Sequence, residues 1–311
     1  MMQRKKSFRL FIEYFILRFF TSIFSAVPFR LRASFWEQVT LAGYYIASGY
    51  RNKVLTNLRY GFPDQTEEWR VSIAKKNFRI LGRQFAEFME TPYITDSFFQ
   101  KWFVAEPSAQ IHKEAYSKGG MCILGHFGNW EWHGYFAGKL SGRDIFTLVK
   151  RHSNPWSNQY FEKTRNSSYM QLIYIDQNPF ITINKLRKGE LVAFTSDQNA
   201  GSSGEYFPFF GRLASTYLGP ASVARNTSCP IYFVWSWHDE KGRLHFELEE
   251  LKRPDFSPRE DVEKWEHEFT YMWVKKMEEK VKQHPADYLW THNRWKSQPE
   301  NPDEIWKRFP A

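Results

Sequence analysis

The chain is predicted to fold as an α/β protein, with a mixed, largely parallel sheet covered by helices and a helical region at its N-terminus. Three observations carry this reading. From residue 120 onward, short apolar runs alternate with segments of helical length, the pattern of a parallel sheet covered on both faces. Between residues 34 and 90, apolar positions recur at threes and fours, through Phe78, Leu81, Phe85 and Phe88. Charged residues make up 25% and hydrophobic residues 42% of the 311 positions, which excludes a disordered chain. The mean hydropathy of −0.59 excludes a multi-span membrane protein.

The elements follow in order. A turn at Gly61-Phe62-Pro63-Asp64 divides the first helical stretch. Met121-Cys122-Ile123-Leu124 is too short for a helix and reads as a buried strand, with a helix over 129–140 behind it. Ile145–Val149 is the second strand, and Pro155 opens a helix to 167. Gln171–Ile175 is the third strand. The next helix has Pro179 at its start and Gly189 just past its end. Leu191–Thr195 is the fourth strand. A glycine-rich loop, a helix near 217–227 and the strand Ile231–Trp235 follow, and Asp239-Glu240-Lys241-Gly242 turns the chain into Leu244–Leu248. Val262, Trp265, Phe269, Trp273, Met277 and Val281 form one stripe on a last long helix, 259–283. This division predicts a single domain, with a helical cap over 33–119 and an α/β core over 120–311, behind an N-terminal helix over 1–32.

That N-terminal stretch points to a membrane surface. The net charge is +9, and six of those charges sit within residues 1–32, where seven basic residues face Glu13 alone. A basic start before an apolar run has the outline of a signal peptide. Arg9, Glu13 and Arg18 interrupt the run, however, and no small-residue cleavage site follows. Phe8, Phe11, Ile12, Phe15, Ile16, Phe19 and Ile23 share one broad helical face, with Arg9 and Arg18 at its edges. An interfacial helix on an anionic bilayer fits this best. A helix docked on the domain and a tilted single span are the competing readings. The aromatic content of 19% is high, and Trp and Tyr favour surfaces where apolar matter meets water. Cys122 and Cys229 both lie in apolar runs and read as reduced core residues.

The strongest chemical signal is Gly125-His126-Phe127-Gly128-Asn129-Trp130-Glu131. His126 falls on a strand-to-helix loop, at the carboxyl end of a strand, where open parallel sheets hold their ligands. Gly128 allows a tight backbone and Asn129 suits a helix N-cap. Glu131 lies in the first turn, where the dipole favours a carboxylate. It is placed to accept a hydrogen bond from one imidazole nitrogen and leave the other free as a base. With no serine or cysteine beside the histidine, that base would act on a substrate hydroxyl. The competing reading is a structural histidine with a capping glutamate.

Further segments add to this one. Leu148-Val149-Lys150-Arg151 is followed by Arg165, and Ser196-Asp197-Gln198 by Phe207-Pro208-Phe209-Phe210-Gly211. Near the C-terminus stands Trp290-Thr291-His292-Asn293-Arg294-Trp295-Lys296. Together with HFGNWE, an H-x4-D/E motif, these blocks resemble the bacterial lipid A biosynthesis acyltransferases, the late lauroyl/myristoyl-type enzymes within the lysophospholipid acyltransferase group. H-x4-E alone is weak, but four blocks in order are specific. The resemblance spans about residues 5 to 300. Phe207 stands where the family usually has valine, and Tyr288 where it usually has tryptophan.

The resemblance implies a glycerolipid acyltransferase-like fold and direct acyl transfer without a covalent intermediate, cofactor or metal. A hydroxyl of a lipid A precursor attacks an acyl thioester, usually on acyl carrier protein, at the cytoplasmic face of the bacterial inner membrane. His126 and Glu131 are then the catalytic pair. Arg165 or backbone N–H groups near Gly128 would meet the oxyanion. Asn129, Lys150, Arg151, Arg165, Asp197, Gln198, Arg294 and Lys296 are candidate substrate contacts. Asp197 and Gln198 have a second possible role in bracing the dyad, and Arg294 and Lys296 in pinning the tail. Acylation of another membrane glycolipid or aminolipid is the nearest alternative within the same chemistry.

Other classes find little support. The chain has no G-x-S-x-G elbow, no Walker A, no G-x-G-x-x-G, no D-x-D and no H-E-x-x-H. A non-catalytic basic protein that binds membrane or nucleic acid would draw on the +9 charge. That charge is concentrated in the N-terminal segment and not on an aromatic-interleaved domain patch, so no nucleic-acid partner is expected.

Overall fold

The computed structural model describes residues 27–106 and 108–309, together with residues 10–12, 14, 15, 19 and 21. Its helices and strands follow the sequence periodicities closely. Three helices come first: α1 (Phe29–Ile46), α2 (Ser48–Gly61) and α3 (Glu67–Glu90). The short α4 (Asp96–Trp102), β1 (Phe103–Glu106) and α5 (Ala109–Lys118) lead into β2 (Gly120–Leu124). Then α6 (Trp130–Ser141), β3 (Ile145–Val149), α7 (Pro155–Asn166), β4 (Met170–Tyr174), α8 (Phe180–Arg187) and β5 (Leu191–Thr195) alternate. A hairpin of β6 (Glu205–Phe209) and β7 (Arg212–Thr216) precedes α9 (Gly219–Arg225), β8 (Ile231–His238) and β9 (Leu244–Glu250). The chain closes with α10 (Val262–Gln283) and α11 (Pro302–Trp306).

Seven strands form one sheet in the order β1-β9-β8-β2-β5-β3-β4, and β6 pairs with β7 apart from it. All neighbours in the large sheet are parallel except β8 and β9, which form the expected hairpin. The sheet is therefore mixed and largely parallel. Its central strand, β2, is buried along its whole length, which explains why its sequence is a plain apolar run and does not alternate. Met121 and Ile123 face one core, with Phe233, Trp273 and Trp290. Cys122 and Leu124 face the other, with Trp132, Phe136 and Phe246. Helix α10 packs on the first face and α6 on the second.

The stretch read as a helical cap over 33–119 is built into this framework. It contains β1, which pairs with β9 at the sheet edge. Val54, Leu58 and Phe78 enter one core, and Ala33, Ala86 and Met89 the other. Strand β1 escaped the sequence reading because four residues of FVAE carry too little pattern. The β6–β7 hairpin escaped because its Pro208 and its Phe-rich run read as a turn.

Most of the expected N-terminal helix lies outside the described residues. Those described between residues 10 and 21 are helical, with Phe11 and Phe15 exposed, whereas Val27 and Pro28 are not helical and α1 begins at Phe29. Phe11 and Tyr14 meet Trp156 at the start of α7, and Asn154 donates a hydrogen bond to the Leu10 carbonyl. Among the described residues, no helix is long and apolar enough to cross a membrane.

Candidate active site

Strand β2 ends at Leu124 and the chain turns over His126, Phe127 and Gly128 before α6 begins. Gly128 has a φ of +58°, and a Cβ there would stand 1.9 Å from the Ser236 carbonyl oxygen, so only glycine fits. Asn129 is the N-cap. Its side-chain oxygen accepts from the backbone N–H groups of Glu131 and Trp132, both at 3.0 Å.

His126 does not pair with Glu131. Its Nδ1 lies 2.7 Å from Oδ1 of Asp197, and its Nε2 lies 3.2 Å from the Gln198 side-chain nitrogen. Asp197 is buried and, as a carboxylate, can only accept a hydrogen bond, so Nδ1 carries the hydrogen and Nε2 is left as the basic nitrogen. Burial alone would push the Asp197 carboxyl up. The charge of His126 and its hydrogen bonds, with a smaller contribution from Arg294, bring it below its ordinary range. The carboxylate is thus ionised beside the imidazole.

Glu131 faces the other way. Arg165 of α7 donates to both its oxygens, from Nε at 2.9 Å and from Nη2 at 2.6 Å. The expected His126–Glu131 hydrogen bond is absent for a geometric reason. Five residues apart, across a loop and the first turn of a helix, the two side chains diverge, and a fork-shaped guanidinium matches the carboxylate better. Burial lowers the Arg165 pKa, but the Glu131 charge more than offsets this, so the pair is ionic.

The other candidates separate. Gln198, Lys150, Arg165 and Glu131 line one cavity with His126. Arg151 is exposed, lies over the Tyr174 ring at 3.5 Å and faces Asp176. Asn129 is buried, its side-chain oxygen engaged as the cap and its amide nitrogen donating to Glu87 at 2.7 Å. Arg294 is also buried, bonded to the Ser215 carbonyl and the Thr216 hydroxyl, and it pins the C-terminal segment to β7. Lys296 is exposed. The N–H groups of Phe127, Gly128 and Asn129 are taken by Gly125, Asp287 and Ser236, which removes them as oxyanion donors.

Sequence reasoning missed the shell that holds this loop. Gln84 donates to the Gly128 carbonyl, and Leu289 N–H to the His126 carbonyl. Behind Asn129 lies a buried cluster: His238 sits between Glu87 (3.1 Å) and Asp287 (2.7 Å), and Arg83 flanks Glu87 at 3.2 Å. Asn57 and Asn77, from α2 and α3, each donate to two carbonyls of the closing segment. Polar residues inside otherwise apolar helical faces were the available signal. His292 of that segment accepts from Asn199 N–H at 2.9 Å, and burial pushes its pKa down.

The cavity has a volume of about 910 Å³ and runs from the polar mouth at His126 and Gln198 inward among apolar side chains such as Leu124, Ile145 and Phe194. Among the described residues, no three His, Cys, Asp or Glu side chains converge as a metal site. The chemistry at hand is a histidine base held by a carboxylate, at the mouth of a deep and largely apolar pocket.

Comparison with known proteins gives this geometry a context. Residues 1–297 match the family model described as bacterial lipid A biosynthesis acyltransferase. The lipid A biosynthesis palmitoleoyltransferase of Escherichia coli (strain K12) is 27% identical over 251 residues, covering 78% of each chain. The lipid A biosynthesis lauroyltransferase of the same organism is 27% identical over 254 residues, again 78% of each chain. A lipid A biosynthesis acyltransferase of Haemophilus influenzae is 23% identical over 279 residues, 88% of this chain and 84% of its own. With His126 at the head of a deep pocket and the family match running through nearly all of its length, the chain belongs to the bacterial lipid A biosynthesis acyltransferases.

Proposed function

We propose that this protein transfers a fatty acyl chain from an acyl carrier protein thioester to a hydroxyl of a lipid A precursor, at the cytoplasmic face of the bacterial inner membrane. The observation that carries the reading is the His126–Asp197 pair at the mouth of the cavity, with Nε2 of His126 turned toward it. The acceptor hydroxyl replaces Gln198 at Nε2 and gives its proton to the imidazole. Its oxygen attacks the thioester carbonyl. Asp197 stabilises the imidazolium, as the third group of a serine triad does. The tetrahedral intermediate collapses, the C–S bond breaks, and the imidazolium returns the proton to the leaving thiolate. The products are an ester and a thiol, so the step balances without a cofactor. Arg165, oriented by Glu131 on the cavity wall, offers its remaining guanidinium N–H groups to the oxyanion.

Membrane placement draws on the basic, apolar N-terminal segment and on apolar side chains exposed on α1, where Leu31 is 62% and Ile46 83% exposed. The test is reconstitution. Purified protein, an acyl carrier protein thioester and a lipid A precursor should yield an acceptor heavier by one acyl chain, read by mass spectrometry. Vesicles containing anionic lipid should sediment the full chain better than a chain lacking residues 1–32. Transfer only to a phospholipid or aminolipid would overturn the acceptor assignment, and equal sedimentation the membrane assignment.

A further inference from the structure

The cavity below His126 draws its lining from both faces of the sheet, and the part on each face is termed an arm. The arm on the α10 face is bordered by Asn178 and Tyr217, both exposed, and opens to solvent. The arm on the α6 face is lined by buried residues, Leu124, Cys122, Ala137 and Met170 among them. Leu124 and then Cys122 carry its wall down β2, and Gly134 and Ala137 of α6 also line it. The small residues set its width. A Cβ at Gly134 would stand 2.5 Å from Met170 Cγ and Sδ and would drive that side chain into the arm.

Its inner wall is not apolar. Tyr116 and His133 line it, 1% and 5% exposed. The Tyr116 hydroxyl has no hydrogen-bond partner among the described residues, and the ring nitrogens of His133 make no bond of ordinary geometry, with only a weak approach to the Trp235 backbone. Unpartnered polar atoms at the buried end of an apolar tube call for an explanation.

We infer that this arm is the slot for the transferred acyl chain, and that Tyr116 and His133 are a polar stop that sets its length. The inference rests on the acyl-transfer reading above. From His126, on the turn, to Cys122 the wall descends four residues, at most about 13 Å if all were extended. An extended chain advances about 1.2 Å per bond, so the arm holds a chain of at most about twelve carbons. Water can satisfy Tyr116 and His133. A longer chain must expel that water and lay methylenes against unpaired polar groups, which costs affinity. Burial pushes the His133 pKa down to about 3, so the stop is neutral and polar, not charged.

The experiment uses the full chain in detergent, with two readouts. Saturated fatty acids of increasing length compete with a fluorescent fatty acid for binding, and acyl carrier protein thioesters of the same lengths are compared as donors. The wild type should prefer twelve carbons over sixteen by about tenfold or more. The pair Tyr116→Phe and His133→Leu should erase or invert that preference with thermal stability retained. Tyr116→Phe alone, which removes a single oxygen atom, should move it in the same direction if the pair does not fold. An unchanged length profile in a folded variant, or equal wild-type binding of the two lengths, overturns the inference. A shifted binding profile without transfer from any thioester supports the slot and counts against the acyl-transfer reading instead.

Discussion

His126 stands two residues beyond Leu124 on β2, Asp197 stands two residues beyond Thr195 on β5, and Leu124 and Thr195 are register partners. The parallel ladder itself therefore delivers a histidine and its carboxylate side by side, at 2.7 Å, where the two strands end. Parallel strands pair evenly along their length, so equal offsets past the last pair remain neighbours. The pairing is a property of the sheet and not of the local His-x4-Glu spacing. It places Asp197, and not Glu131, against Nδ1 of His126, while Glu131 holds Arg165.

The first prediction concerns that pair. His126→Ala removes the base, and Asp197→Asn preserves shape but no longer stabilises the imidazolium or demands a hydrogen on Nδ1. Each should lower kcat/KM by about 10²–10⁴-fold. Thermal unfolding of His126→Ala should stay close to wild type, since its ring is partly exposed at the cavity mouth. Wild-type turnover by either folded variant would remove His126–Asp197 from the mechanism.

The second prediction separates Glu131 from the base. If Glu131 acts through Arg165, the two should behave as one unit. Glu131→Gln, Arg165→Gln and the double variant should then lose similar amounts of activity, with a strong non-additive coupling. Glu131→Gln combined with Asp197→Asn should be close to additive. The opposite pattern, with Glu131 coupled to His126 and Asp197 but not to Arg165, would restore the His126–Glu131 dyad and refute the arrangement described here.

Much of the scaffold was legible because it rests on local chemistry. The strands over 145–149 and 191–195 were readable to the residue, since short apolar runs between Gly and Pro punctuation admit few alternatives. The N-cap role of Asn129 was equally local. His126 was legible as a base, but its partner was not. Seventy-one residues separate it from Asp197, and only the strand order, β2 beside β5, brings them together. The buried role of Arg294 and the cluster of Glu87, His238 and Asp287 were hidden for the same reason. A charged residue in a sequence reads as solvated until its distant partner is known.

The third prediction follows from that cluster. Burial pushes the His238 pKa down, but Glu87 and Asp287 together lift it from 6.5 to about 9. A histidine whose pKa is raised on folding contributes fully below about 6.5 and loses that contribution as pH rises through about 9. Glu87 is held below its ordinary range, because His238, Arg83 and Asn129 outweigh its burial. Its contribution is lost on the acid side. The Tm should accordingly fall between pH 7 and pH 9.5. His238→Asn should lower the Tm at pH 7 by about 5–15 °C, because it leaves buried carboxylates without their cation, and should flatten the alkaline fall. A Tm profile in differential scanning calorimetry that is the same for both proteins would end this account.

The last prediction concerns the donor. Lys150, Arg151 and Arg165 were all expected as substrate contacts, but the structure divides them. Arg165 is neutralised by Glu131, and Arg151 is stacked on Tyr174 and faces Asp176. Lys150 is exposed at the cavity mouth, and among the described residues it has no acidic partner. Acyl carrier proteins of the expected type are acidic, so Lys150 is the residue best placed to steer one toward His126 by long-range attraction. Screening acts over about 8–10 Å near physiological salt. The second-order rate with a carrier-protein donor should therefore fall as salt rises. Lys150→Glu should weaken that dependence and leave turnover at saturating donor intact. If Lys150 binds the phosphates of the acceptor instead, the salt effect will follow acceptor concentration. Micellar kinetics in which donor and acceptor are varied separately at two salt levels distinguish the two. A donor-independent salt effect, together with equal efficiency for coenzyme A and carrier-protein thioesters, would rule out steering and make Lys150 an acceptor contact.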